Sequence, residues 1–119
     1  MKRLTIQPKD LDKAIGNVLD AHGMIKKPSP GTLSYSCRCV VASAAVRDWK
    51  NHVSVNSRGG IWMMKEKKAT AYATTDPLLE GIIRLFDQAV MAGPTSPQRQ
   101  EKFDTIRKML PITFTMERV

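Results

Sequence analysis

Residues 53–74 read VSVNSRGGIWMMKEKKATAYAT, and the period of this stretch decides the fold. Val53 and Val55 alternate with polar residues, the pattern of a half-buried strand. Ser57, Arg58, Gly59 and Gly60 make a turn signal, and Ile61 to Met64 resumes the apolar run, so the two runs predict a β-hairpin. Ala69 to Thr74 predicts a third strand, reached through the charged connection Lys65-Glu66-Lys67-Lys68.

Toward the N-terminus, residues 33–50 carry two competing periods. Leu33, Tyr35, Cys37 and Cys39 alternate as in a strand, whereas Cys37, Val40, Val41, Ala44, Ala45 and Trp49 follow a helical stripe. The alanines and the length favour a helix from about Ser36 to Lys50. That helix would hold Arg38 and Arg47 off the apolar stripe, with their heads in solvent. Residues 26–32 are a proline- and glycine-rich loop. Earlier still, Pro8 starts a helix whose first turn holds Asp10 and Asp12, placed to complement the N-terminal dipole. Leu11, Ile15, Val18 and Leu19 share its buried face, Gly16 marks a close approach, and Gly23 is the expected stop. Leu4 and Ile6 alternate within a short strand over residues 2–6.

Toward the C-terminus, Asp76 and Pro77 supply a cap and first turn for a helix with a broad stripe of Leu78, Leu79, Ile82, Ile83, Phe86, Ala89 and Val90. Gly93 and Pro94 end it. Ser96 and Pro97 open a fourth helix by the same logic, with Phe103, Ile106, Met109 and Leu110 apolar and Pro111 closing it. On its exposed side Arg99, Lys102, Arg107 and Lys108 are expected to pair with Glu101 and Asp104. Ile112, Phe114 and Met116 alternate as a last strand. The expected architecture is α+β, about four helices on a small, mostly antiparallel sheet, in a single compact domain over 1–119.

The 119 residues are 42% apolar, enough for a core without disulfides or metal. Cys37 and Cys39 are too close in sequence for an unstrained disulfide, and reduced thiols are expected. After Met1, Lys2 and Arg3 the apolar run stops at Leu4, so no secretory signal is expected, and no window approaches the ~18 apolar residues of a membrane span. These features predict a cytoplasmic location and no membrane contact.

Charge is the most informative part of the composition. Residues 24–75 hold nine lysines and arginines against Asp48 and Glu66, a surplus of seven within a net charge of +8. Such a local positive field attracts polyanions or acidic protein surfaces. Arg58, Lys65, Lys67 and Lys68 flank Gly59, Gly60 and Trp62, so cations, an aromatic ring and a glycine turn fall together. Cations neutralise phosphates, a ring such as Trp62 stacks on an unpaired base, and bare glycines admit a close backbone approach. Lys26 and Lys27 offer a second contact. The competing reading makes the lysines guards of an edge strand and Trp62 part of the core.

Other chemistry finds little support. His22, Cys37, Cys39 and His52 lack zinc spacing. No Gly-x-Ser-x-Gly elbow accompanies either histidine, and Gly59-Gly60 lacks the phosphate-loop pattern. His22 is placed at a helix end and His52 in a turn. Neither metal nor cofactor is expected, and the chain reads as a non-enzyme. The expected function is that of a small basic nucleic-acid-associated protein, using Lys26, Lys27, Arg58, Trp62, Lys65, Lys67 and Lys68 on DNA or RNA. The alternative is an accessory protein of phage or mobile-element type that docks on an acidic protein surface and inhibits a host complex, with an exposed Trp49 or Trp62 as anchor. The terminal strands leave a homodimer open.

Overall fold

The computed structural model describes residues 2–26 and 38–119, so Lys27, Cys37 and the start of the expected 36–50 helix lie outside the described residues. In chain order the elements are β1 (Lys2–Ile6), α1 (Pro8–Val18), α2 (Val40–Trp49), β2 (His52–Val55), β3 (Ile61–Lys65), β4 (Lys68–Ala73), α3 (Pro77–Met91), α4 (Pro97–Met109) and β5 (Ile112–Arg118). This is the α+β architecture that the sequence predicts. The strands form one antiparallel sheet in the order β1-β5-β4-β3-β2.

Period-two alternation sorts each strand into a buried and an open row. Leu4 and Ile6 of β1, Phe114 and Met116 of β5, Ile61 and Met63 of β3, and Val53 and Val55 of β2 are all buried on one face. The helices cover that face and add Leu11, Val41, Ala45, Leu79, Ile82, Phe86, Phe103 and Ile106 to the same core. Phe86 of α3 and Phe103 of α4 meet in a tilted ring contact at 5.8 Å. Proline at the first position starts α1, α3 and α4. Asp76 accepts from the Leu78 amide at 3.0 Å and Ser96 from the Gln98 amide at 3.2 Å, as capping residues do.

Several expectations fail, each for a local reason. α1 stops at Val18, short of Gly23, because Leu19 forms an antiparallel bridge with Ile25. The intervening turn is held by the Asp20 carboxylate, which accepts from the amides of His22 at 2.8 Å and Met24 at 3.0 Å. His22 therefore lies in that turn, and Gly23 with φ +76 serves it. Gly16 faces open space and marks no close approach. Arg38 is buried, because α2 starts at Val40 and leaves Arg38 ahead of the helix, where Nη1 donates to the Asn17 carbonyl at 3.3 Å.

Arg47 is also engaged. Its Nε donates to Asp10 at 2.8 Å and its Nη1 to Asp48 at 2.7 Å, while Nη2 donates to the Thr5 carbonyl at 2.7 Å. The hydrogen bond to buried Asp10 leads the effects that hold the Arg47 pKa above its ordinary value. Asp48 accepts from the Thr5 amide at 2.8 Å, and Trp49 Nε1 donates to the Arg3 carbonyl at 3.0 Å. Three consecutive side chains of α2 thus cover the outer edge of β1, a standard device against edge-to-edge pairing. A dimer built through Arg3 and Thr5 of β1 finds these groups taken.

Arg99 is the largest departure. It is 8% exposed and belongs to no surface ion-pair row. Its Nε and Nη2 donate to the carbonyls of Ala89 and Val90 at 2.9 and 2.7 Å, and Nη1 donates to Gly23. The last carbonyls of α3 are short of partners within their own helix, Ala89 accepting only the long cap bond from the Ala92 amide at 3.3 Å, and a cation there also meets the negative end of the dipole. Arg107 pairs instead with Asp12 of α1 at 2.7 Å, which raises its pKa above the ordinary value.

Candidate nucleic-acid interface

The β3–β4 hairpin turns through Glu66 and Lys67 with φ values of 50 and 65, and Lys65 lies opposite Lys68 in the ladder. Two positive φ values between adjacent strands match the right-handed strand twist, which is why tight hairpins use them. Asn-Gly is the easy occupant of such a turn, and Glu-Lys is not. Lys65, Lys67 and Lys68 are all exposed at this one tip. None of them joins the four ion pairs found between described residues, whose carboxylates are Asp10, Asp48, Glu80 and Asp12. Glu66, exposed within the turn, is the carboxylate nearest in sequence. Lys50, exposed at the end of α2 two residues before His52, adds a cation at the same end of the sheet.

β3 and β4 are interior strands, so these lysines guard no sheet edge. The core reading of Trp62 also fails, since its side chain is 48% exposed. Trp62 points away from the helices, between Ser54 of β2 and Ala71 of β4, and Met64 lies between His52 and Ala69. β4 presents a row of Ala69, Ala71 and Ala73 on this side. Beyond it β5 exposes Thr113, Thr115 and Glu117, and β1 exposes Arg3. The open face is therefore a shallow surface of short side chains from which Trp62 and Met64 stand up. Sequence reasoning overlooked Met64 and the alanine row, although the alternation that buries Ile61 and Met63 turns both features outward.

The other expected contacts do not join this cluster. Arg58 is exposed in the 56–60 turn, at the opposite end of β3 from Lys65. Lys26 lies on the helical side, where its Nζ donates to the Gly16 carbonyl at 2.7 Å. The bare Cα of Gly59, with φ +88, lies against α3: a Cβ would come 3.3 Å from the Leu79 side chain. Gly60 abuts the Asn56 side chain, whose Oδ1 also accepts from the Arg58 and Gly60 amides at 2.9 Å. The glycines serve the turn and the core, and leave no bare backbone for a ligand. Trp49 is 8% exposed, meets Tyr72 in a tilted ring contact at 5.2 Å and carries the Lys2 ammonium 5.3 Å above its ring, so it is no surface anchor.

Among the described residues no group of three or more His, Cys, Asp or Glu gathers to hold a metal ion. His52 is exposed at the start of β2 and His22 is exposed beyond α1. Cys39 caps α2, its sulfur accepting from the Ala42 amide at 3.5 Å, and burial pushes its thiol pKa up to about 11. A cavity of about 530 Å³ opens where β4 leaves β5, because the strands pair briefly, through Tyr72–Arg118 and Ala73–Glu117 with the Val119 amide donating to the Ala71 carbonyl at 2.9 Å. Thr74, Thr75, Asp76, Thr113 and Thr115 line it. No helix among the described residues is long and apolar enough to cross a membrane. Comparison with protein-family profiles, with curated proteins and with solved structures finds no match.

Proposed function

We propose that this chain is a small, basic, non-catalytic nucleic-acid-associated protein that reaches phosphates with the tip of its β3–β4 hairpin. One observation carries the reading: Lys65, Lys67 and Lys68 gather at a single tip while the carboxylates in ion pairs are committed elsewhere. Like charges so close repel each other, and the tip is relieved when a polyanion binds and releases its counterions. The turn supports the same reading. Glu66 and Lys67 occupy left-handed backbone at a cost of roughly 1–2 kcal/mol each, which an Asn-Gly turn would avoid. Strained positions of this sort are retained where they serve a purpose other than stability.

The test is retention on immobilised DNA and RNA of mixed sequence, followed against salt. Three phosphate contacts give a slope of log K on log salt of about −2.7 on duplex DNA and about −2 on single strands. Lys65→Glu, Lys67→Glu and Lys68→Glu made together abolish retention on this reading. Retention unchanged by the triple substitution removes the hairpin tip from the contact and overturns this reading, whereas a lysate partner that survives nuclease moves the function to an acidic protein surface.

A further inference from the structure

From the open sheet face we infer that the ligand is an unpaired single strand, DNA or RNA, with a base stacked on Trp62. This rests on the nucleic-acid reading above and adds the class of nucleic acid. The indole is half exposed, and its cross-strand neighbours are Ser54 and Ala71, side chains too short to cover a ring. Met64, also exposed at 46%, extends the apolar surface along β3, and Ala69, Ala71 and Ala73 leave the next strand low. An open sheet face from which an aromatic ring stands receives a splayed base, whereas a duplex keeps its base planes stacked inside. Among the described residues no helix or protruding ribbon stands on this face to enter a groove.

The spacing joins the two halves of the site. A strand rises about 3.3 Å per residue, so Lys65 follows Trp62 by about 10 Å. By alternation Lys65 and Lys68 lean toward the helical side, but they lie past the end of the buried row and are exposed. Their long stems reach a backbone that crosses the tip. A base on Trp62 thus leaves the phosphates one or two nucleotides away within reach of Lys65, Lys67 and Lys68. The same face carries Glu117 at its far end, beside Ala73. Arg3 of β1, opposite Thr115, is the cation on the β5 side of this face, so the three lysines of the hairpin tip make the denser positive charge.

The experiment is fluorescence anisotropy at low salt with a labelled ten-nucleotide oligothymidylate, the matching oligouridylate and a 20-base-pair duplex. The proteins are the full chain, Trp62→Ala, and the triple lysine-to-glutamate variant. We expect the full chain to bind one or both single strands more tightly than the duplex; which one it prefers separates DNA from RNA. Trp62→Ala weakens single-strand binding by about 5- to 150-fold, the usual worth of one stacked base, and leaves duplex binding within about twofold. Trp62→Phe, which keeps a ring, falls between. Equal or tighter duplex binding, or a Trp62→Ala variant that keeps its single-strand affinity, overturns the single-strand inference. In that case loss of binding in the triple variant still upholds the broader reading. If the full chain binds none of the three, both fall.

Discussion

Trp49 and Trp62 stand on opposite sides of one sheet. Trp49, at the end of α2, packs on Tyr72 from the helical side, and Tyr72 shares its face with buried Ile61. Trp62, the next residue along from Ile61, points the other way into solvent. The chain has no other tryptophan, so the pair gives two optical reports on two environments.

Acrylamide quenching checks this arrangement without any ligand. The full chain is expected to show one accessible and one protected emission component. Trp62→Phe removes the accessible, red-shifted component and leaves blue-shifted emission that resists quenching. Two equally quenched components would contradict the placement of Trp49.

Glu66 and Lys67 set stability against charge. Glu66→Asn with Lys67→Gly relaxes both positive-φ positions and is expected to raise stability by about 1 kcal/mol or more. The same double change removes one cation and one anion from the tip. Urea midpoints should rise, while retention on nucleic acid should fall modestly through loss of the Lys67 contact. A stabilised protein with stronger retention would show that Lys67 has no part in the contact.

Arg99 makes a contrast with the surface lysines. Arg99→Met keeps the apolar stem and strips the donors from Ala89, Val90 and Gly23. Stripping the Arg99 bonds from Val90 and Gly23, and leaving Ala89 only the Ala92 amide at 3.3 Å, is expected to cost about 3 kcal/mol, or a urea midpoint lower by about 1–3 M. Arg99→Lys restores only part of this, since one ammonium does not span three carbonyls held by a planar fork. Binding to nucleic acid by the folded fraction should not change.

Cys39 supplies the pH dependence. Its thiol pKa rises from 9.0 to about 11 on folding, because burial disfavours the thiolate. Below about pH 9 the thiol is neutral in both states, and its contribution is complete. Between about pH 9 and 11 the unfolded chain loses the proton first, so stability falls by roughly 2–3 kcal/mol across that window. In a Cys37→Ser background, the stability advantage over the additional Cys39→Ala change is expected to shrink as pH rises from 8 to 10.5. At pH 8 the native Cys39 should react slowly with iodoacetamide.

The sequence by itself determined the elements, because their signals are local. Asp76-Pro77 and Ser96-Pro97 announce two helices through cap and fixed φ, and alternation at Val53, Val55, Ile61 and Met63 separates buried from open positions before any partner is known. The same alternation held the outward direction of Trp62, which the core reading passed over. Tertiary structure alone decided what the arginines do. Arg38, Arg47 and Arg99 look alike in sequence to solvent-facing cations, yet each meets an acceptor 10 or more residues away: Asn17, Asp10 and Ala89. A long flexible side chain carries no local mark of its partner, so three of the cations that looked free are structural. The strand order β1-β5-β4-β3-β2 was equally beyond local reading, because it is set by how the terminal strands close on each other across the whole chain. That order makes β3 and β4 interior, and so leaves Lys65, Lys67 and Lys68 without an edge to guard.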